Sequence, residues 1–518
     1  VTVTARDTGR TQDRDVGRQT ATPDKPGCSP AVSRPSIVAV MHPDDSRPLS
    51  PGQERKWEEI LGLSGADPGV ARAQIIACRR VRGLLDIGVL RAAADELTQR
   101  HEPLRLTFTA VGTDPRIRIA PELDPPIDVV DLSSLPGPAQ DRRLGELMHR
   151  EQTRYFDFRR GPLWQLVVAR LGPDEHLLIA CFATVISDGW AVALFISELL
   201  RECGVRAGLL PPVRPTVPTF EQIAAGQTDN LAVDPARLSY WREHLTDMPR
   251  SPLLQATSTS STDPDSRQAI LFSVPEGHGV QRLAWSARTT PFVCLLAAHH
   301  LLILLVTGRS DAVVSTSDSG RRARWQKYAL MSFEEEHYIA AAVSPRDRLV
   351  DVVQAVHRTI SSALSSPLPY SELAAAVYPR YSIERPWPDH QLRESDISSW
   401  APSVPEPDMP GFVIEDVDVP PLRPAGVAPT AFPSADPVIR RAWENKGAPW
   451  FVVNLNRDGG AVVYNDQLHS PPTVQALTDQ YLWVVSELVR HPETTVDQLR
   501  LRFHRQRLTG AGSTRPAR

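Results

Sequence analysis

The sequence predicts a mixed α/β (α+β) protein in two lobes of similar size, on three observations. First, the chain has 518 residues, more than one compact core usually holds, which suggests two or three domains. Second, His176 to Ile186 (HLLIACFATVI) is a nearly continuous apolar run, the pattern of a strand buried on both faces. A Ser187-Asp188-Gly189 turn follows it, then a helical pattern from about Trp190 to Arg201, so strands and helices mix. Third, two stretches rich in breakers, Pro211 to Pro218 and Ser251 to Arg267, interrupt the pattern near the middle, as a connection between lobes would.

Taken in order, residues 1–45 are polar and charged, and too poor in apolar surface to offset the entropy of ordering; they are expected to be a disordered tail. The N-terminal lobe is expected over 46–215. Within it, Asp86 to Arg100 reads as a helix with an Asp N-cap and a stripe of Ile87, Leu90, Ala94 and Leu97. The inter-lobe connection, 216–267, holds a short helical piece around Arg237 to Leu245. The C-terminal lobe, 268–505, opens with Pro291 to Val306, apolar all round and hence a buried helix. A strand at Asp311 to Ser315, a Pro-rich connection from Pro386 to Pro437, strands at Trp450 to Leu455 and Gly460 to Tyr464, and a helix Thr473 to Arg490 complete it. Residues 506–518 are expected to be a second disordered tail.

Lys+Arg is 57 against Asp+Glu 61, a formal net charge of −4, which excludes a broadly basic nucleic-acid binder. Five cysteines (Cys28, Cys78, Cys181, Cys203, Cys294) are scattered with no C-x-x-C spacing, so neither a disulfide framework nor a zinc site is expected. The N-terminus shows no apolar signal region. The greasiest stretch, Pro291 to Val306, is about 16 residues, short of the roughly 20 that a membrane span wants. A soluble, cytoplasmic protein with no nucleic-acid or membrane partner is the expectation.

Several segments in order resemble one family, the condensation domains of nonribosomal peptide synthetases, within the chloramphenicol-acetyltransferase-like acyltransferases. Ser50-Pro51-Gly52-Gln53-Glu54-Arg55-Lys56-Trp57 looks like the opening S-x-x-Q-x-R-x-W. Arg100, His101, Glu102, Leu104, Arg105 and Phe108 match R-H-E-x-L-R-x-x-F in full. Thr290-Pro291-Phe292, Thr307-Gly308 and Asp311 to Arg322 (DAVVSTSDSGRR) resemble T-P-F…T-G…D-V-V-V-G-T…G-R. Val462 to Tyr481 looks like the closing E-Y-N-x-x-L-F…T-V…L. The resemblance covers about 46–502 and implies two chloramphenicol-acetyltransferase-like lobes, a V-shaped pseudo-dimer with a tunnel between them. It also implies peptidyl or acyl carrier proteins as partners, and substrates carried on phosphopantetheine, with no cofactor bound by the protein itself and no metal.

The chain departs from the family where the chemistry lies. The signature H-H-x-x-x-D-G corresponds to Ala183-Thr184-Val185-Ile186-Ser187-Asp188-Gly189. Asp-Gly survives and both histidines are gone. In the family the second histidine acts as a base or positions the attacking amine; Thr184 stands there, and a threonine hydroxyl takes no proton near neutral pH. The resemblance makes Asp188 structural, paired with an arginine of the other lobe, for which the G-R match nominates Arg321. Gly189, Arg100, His101, Glu102 and Arg105 are likewise structural residues around the site.

A second departure is Phe333 to Ala342, which stands where the family has G-x-F-V-N-T-L-P-L-R. Strand alternation puts Glu335 and His337 on one side and Glu334 and Glu336 on the other. A Glu335–His337 pair facing the tunnel could replace the lost base, since a carboxylate orients an imidazole and stabilises its charged form; the alternative is a charged, solvent-facing segment. His299 and His300, adjacent in an apolar helix, point about 100° apart and read as packing residues. Cys181 points away from Thr184 and is a poor nucleophile candidate. Two functions remain. One is a stand-alone protein acting in trans that joins a carrier-bound acyl thioester to an amine or alcohol, with altered catalysis. The other is a non-catalytic docking module that binds carrier proteins or recruits tailoring enzymes.

Overall fold

The computed structural model describes residues 46–54, 56–57, 70–71, 74–83, 85–110, 115–152, 154–212, 216–228, 235–245, 267–274, 277–310, 312–366, 368, 392–394, 428–431, 450–454 and 459–510. The expected N-terminal tail lies outside these residues, as do 511–518, most of the Pro-rich connection and most of the Ser251 to Arg267 stretch; residues 506–510, expected to be disordered, instead continue the last helix, Val496–Gly510. Ser46–Arg518 forms one compact unit.

The first half contributes strands β1 (Arg47–Pro48), β2 (Val70–Ala71), β3 (Gln74–Arg82), β4 (Leu106–Ala110), β5 (Arg116–Ile119), β6 (Ile127–Asp131), β7 (Phe156–Asp157), β8 (Trp164–Gly172) and β9 (Glu175–Ala183). Its helices are α1 (Ile87–Arg100), α2 (Gly137–Gln152) and α3 (Gly189–Arg206), followed by α4 (Phe220–Thr228) and α5 (Pro235–Leu245). The second half supplies β10 (Arg267–Ser273), α6 (Gly277–Ser286), α7 (Pro291–Thr307), β11 (Val313–Asp318), β12 (Glu335–Ala340), α8 (Leu349–Leu364), β13 (Leu392–Glu394), β14 (Ala428–Ala431), β15 (Trp450–Asn454), β16 (Gly459–Asn465), α9 (Pro471–Arg490) and α10 (Val496–Gly510).

The main first-half sheet runs β14-β3-β9-β8-β6. Its central strands are apolar on both faces because both are covered. Leu166 and Val168 of β8 join Leu178 and Ala180 of β9 in a core with α1 and α3, while Val167, Ala169, Leu177 and Ile179 face Leu144, Leu147 and Met148 of α2. The apolar run thus forms the doubly buried strand its composition predicts, but the strand stops at Ala183. Ile186 N–H and the Ser187 hydroxyl both donate to the Ala183 carbonyl, folding 184–187 into a turn. The α1 N-cap is Asp86, whose carboxylate accepts from Gly88 and Val89 N–H.

The second half has its own core. The sheet β10-β16-β15-β13 and helices α6, α8, α9 and α10 surround α7, whose buried residues lie all round it. Thr290 caps α7 at its start, and Gly308, at φ 77°, ends it. β11 and β12 pair antiparallel as a separate ribbon. No single helix among the described residues is long and apolar enough to cross a membrane.

The halves exchange segments. Ala329, Leu330, Met331 and Phe333 from the second half are buried in the first core. Trp190 Nε1 donates to the Lys327 carbonyl at 3.1 Å. The Gln227 amide accepts from Gly52 N–H and donates to the Ser332 carbonyl at 2.7 Å. β14 adds an antiparallel edge strand to β3. The 319–333 segment is therefore a clasp between halves, and it positions everything that follows.

Candidate active site

The clasp closes on Asp188, the N-cap of α3. Its Oδ1 accepts from Ala191 N–H at 2.8 Å and its Oδ2 from Phe333 N–H at 2.8 Å. Arg321 adds a two-pronged contact, Nη1 to Oδ2 at 2.6 Å and Nη2 to Oδ1 at 3.1 Å. The guanidinium also donates to the carbonyls of Ser319, Gln326, Ala329 and Met331. It lies between the rings of Trp190 (5.3 Å) and Phe333 (4.9 Å). Both side chains are buried. A carboxylate that takes four hydrogen bonds, two of them from a guanidinium, has no lone pair to offer a substrate proton, so the geometry of Asp188 is that of a fastener.

The R-H-E motif fastens the first half to itself. Arg100 reaches Glu96 at 3.2 Å and Glu202 at 3.3 Å, and His101 Nε2 meets Glu198 at 2.7 Å, joining α1 to α3. Glu102 accepts from Phe220 N–H at 2.6 Å, the start of α4. Arg105 donates to the Thr98, Gln99, Ala120 and Pro121 carbonyls. Gly189 begins α3 directly after the cap.

Thr184 is buried in the turn after β9, four residues before Asp188. On the other side of the clasp, Phe333, hydrogen-bonded to Asp188, stands four residues before His337. The fastener thus ties the turn that holds Thr184 to the segment that leads to His337.

His337 is buried, but the carboxylate it meets is Asp318, at 3.1 Å from Nε2, and not the expected Glu335. Glu335 accepts instead from Arg322 at 2.9 Å, and the same Arg322 nitrogen donates to Asp318 at 2.7 Å. The register explains the exchange. Thr316 lies opposite His337 and Asp318 opposite Glu335, so all four side chains share one face of the ribbon. The short Asp318 then reaches His337 across the strands, while Arg322 holds Glu335. Glu334, expected on the other side, sits 3.9 Å from Lys56. One ligand atom each of Asp318, Glu335 and His337 lies within 4.8 Å of the others, a spacing that suits a cation, and the Arg322 guanidinium fills that role for the two carboxylates.

The charges respond accordingly. Burial pushes the Asp318 carboxyl up, but the hydrogen bond and charge of His337 and the Arg322 guanidinium outweigh it and hold the group at about 2. Burial raises Glu335, and Arg322 offsets only part of that. A carboxyl depressed on folding adds stability above its unfolded value near 4, and that stability is lost as pH falls toward 2. Asp318→Asn is therefore expected to cost about 1–2 kcal/mol at pH 6, with the gap to wild type narrowing below pH 4. Urea unfolding midpoints across pH check this; a gap that widens on acidification contradicts it.

Elsewhere, Cys181 is buried, its thiol pushed well up by burial, and it donates to the Glu151 carbonyl, so no thiolate forms near neutral pH. His299 and His300 are buried in α7, His299 against the Tyr481 ring. Asp318 and Arg322 escaped the sequence reading. Their only signal was the strand alternation that links Thr316 to Asp318, and its value depends on a register that no local pattern shows.

The Condensation domain family matches residues 44–380. The phosphinothricin tripeptide synthetase PhsC of Streptomyces viridochromogenes is 28% identical over 359 residues, 67% of this chain and 32% of that relative, so the chain spans about a third of its length. Among solved structures, the SgcC5 protein of Streptomyces globisporus superposes with a TM-score of 0.68 at 21% identity, covering 87% of this chain and 100% of that one. The X-domain from teicoplanin biosynthesis, also solved in complex with OxyB, superposes at 0.65 with 20% identity, covering 90% and 98%. These likenesses show the fold, the chloramphenicol-acetyltransferase-like α/β arrangement expected.

Proposed function

The chain belongs to the condensation-domain family, and from that premise we propose that it joins a carrier-bound acyl thioester to an amine or alcohol in nonribosomal peptide biosynthesis, with His337 taking over from the lost motif histidines. One observation carries this reading: a buried imidazole bonded to a carboxylate stands on the strand that Phe333 N–H ties to the motif aspartate. In the reaction the amine nitrogen attacks the thioester carbonyl, the new C–N bond forms and the C–S bond breaks. His337 accepts the proton the amine releases and returns it to the departing thiolate. Positioned acid–base help of this kind is worth about 10²–10⁴-fold, and holding amine and thioester together supplies effective molarities of about 10⁵–10⁸ M. Peptidyl or acyl carrier proteins are the partners in this reading, the acyl group riding on their phosphopantetheine.

The replacement of both signature histidines by Ala183 and Thr184 favours a second reading, a docking module that binds carriers or tailoring enzymes without chemistry; the teicoplanin X-domain, similar in fold, forms a complex with OxyB. Single-turnover transfer from an octanoyl-loaded carrier to a panel of amines and alcohols separates the two. Transfer by wild type and an about 10²-fold loss in His337→Ala support the enzyme. Carrier binding without transfer supports the module.

A further inference from the structure

We propose that Asp318 is the positioning residue for His337, and that Thr316 Oγ1 with His337 Nδ1 forms the subsite for the acceptor's N–H or O–H. The proposal rests on the acyl-transfer reading and deepens it. Asp318 engages Nε2. An imidazole whose Nε2 hydrogen is held by a carboxylate keeps its neutral lone pair on Nδ1. That nitrogen makes no hydrogen bond among the described residues, so it is left to accept. Directly opposite in register is Thr316, 1% exposed, with a hydroxyl that has no hydrogen-bond partner.

Cβ atoms of directly opposed residues lie about 4.5–5.5 Å apart, so the hydroxyl and the free nitrogen are close neighbours on one face of the ribbon. A buried hydroxyl without a partner costs stability that a valine of the same shape would not, and a ligand group that hydrogen-bonds to it recovers that cost. Nδ1 offers a lone pair and the hydroxyl can give or take. The group that fits both is a neutral amine or an alcohol, the nucleophile of a condensation. Arg322, which also holds Glu335, donates to Asp318 and keeps that carboxylate ionised toward the imidazole.

Two measurements on the full chain test this separately from turnover. The ¹⁵N tautomer signature of His337, assigned with His337→Gln, is expected to show the proton on Nε2 in wild type. It is expected to become a tautomer mixture in Asp318→Asn and to stay unchanged in Glu335→Gln. An Nδ1–H tautomer in wild type, or no change in Asp318→Asn, overturns the positioning role whether or not the protein transfers acyl groups.

The subsite is read with leucyl-N-acetylcysteamine thioester as acceptor probe. Its addition shifts the His337 resonance in wild type and Thr316→Ser, but not in Thr316→Val. In transfer assays Thr316→Val raises the acceptor KM about tenfold with little change in kcat, while Asp318→Asn lowers kcat about 10–100-fold. A Thr316→Val variant that binds the probe like wild type overturns the subsite. Should the tautomer and the probe shift behave as expected while no acyl group moves, the transfer reading fails alone.

Discussion

Arg321→Ala is expected to destabilise the protein by about 3–5 kcal/mol, the usual consequence of leaving one partner of a buried ion pair without the other. The size follows from what the guanidinium does. It neutralises Asp188, whose side chain is fully buried, and satisfies four backbone carbonyls of its own clasp. Removal strands all of these polar groups at once, because 319–333 is packed into the first core and has no route to water without leaving it. Arg321→Lys recovers charge but not the two-pronged geometry or the stacking between Trp190 and Phe333, and is expected to restore less than half. Denaturant unfolding of Arg321→Ala, Asp188→Ala and the double variant measures the coupling. A double variant no worse than either single one is the predicted pattern, and fully additive losses exclude the pair as the fastener.

Gly320→Ala is the second large effect. Gly320 sits at φ 61°, where a side chain is disfavoured by about 1–2 kcal/mol. A Cβ there would lie 1.7 Å from the Phe333 carbonyl oxygen, a backbone atom that cannot swing aside. Overpacking of that kind adds about 1–3 kcal/mol, for a total near 3–5. The clash also pushes Phe333 away from Asp188 and moves β12, so His337 should lose its alignment with Asp318. Thermal unfolding together with the His337 tautomer distinguishes the outcomes. A variant with wild-type stability and tautomer would show that this close approach does not position the strand.

Much of the scaffold was legible because its signals are local. The Asp86 cap, the apolar stripe of α1, the doubly buried β9, the all-round apolar α7 and the closing helix α9 each follow from periodicity and caps within a dozen residues. The Asp188–Arg321 pair was legible through a different route, the order of short motifs, since no local rule links two residues 133 apart. The boundary errors are equally physical: β9 ends at Ala183 and not Ile186 because the Ser187 hydroxyl and a turn hydrogen bond capture the Ala183 carbonyl.

By itself the sequence determined an α/β chain with two apolar cores and, through the order of its motifs, the pairing of Asp188 with Arg321. Only the tertiary structure decided that His337 pairs with Asp318, that Arg322 takes Glu335, and that Thr316 stands unpartnered beside them. Alternation along one strand states which residues share a face, but the partner across the ribbon is set by register. The register here is imposed by the clasp, through Gly320 against Phe333 and Phe333 N–H on Asp188, contacts between segments that only folding brings together.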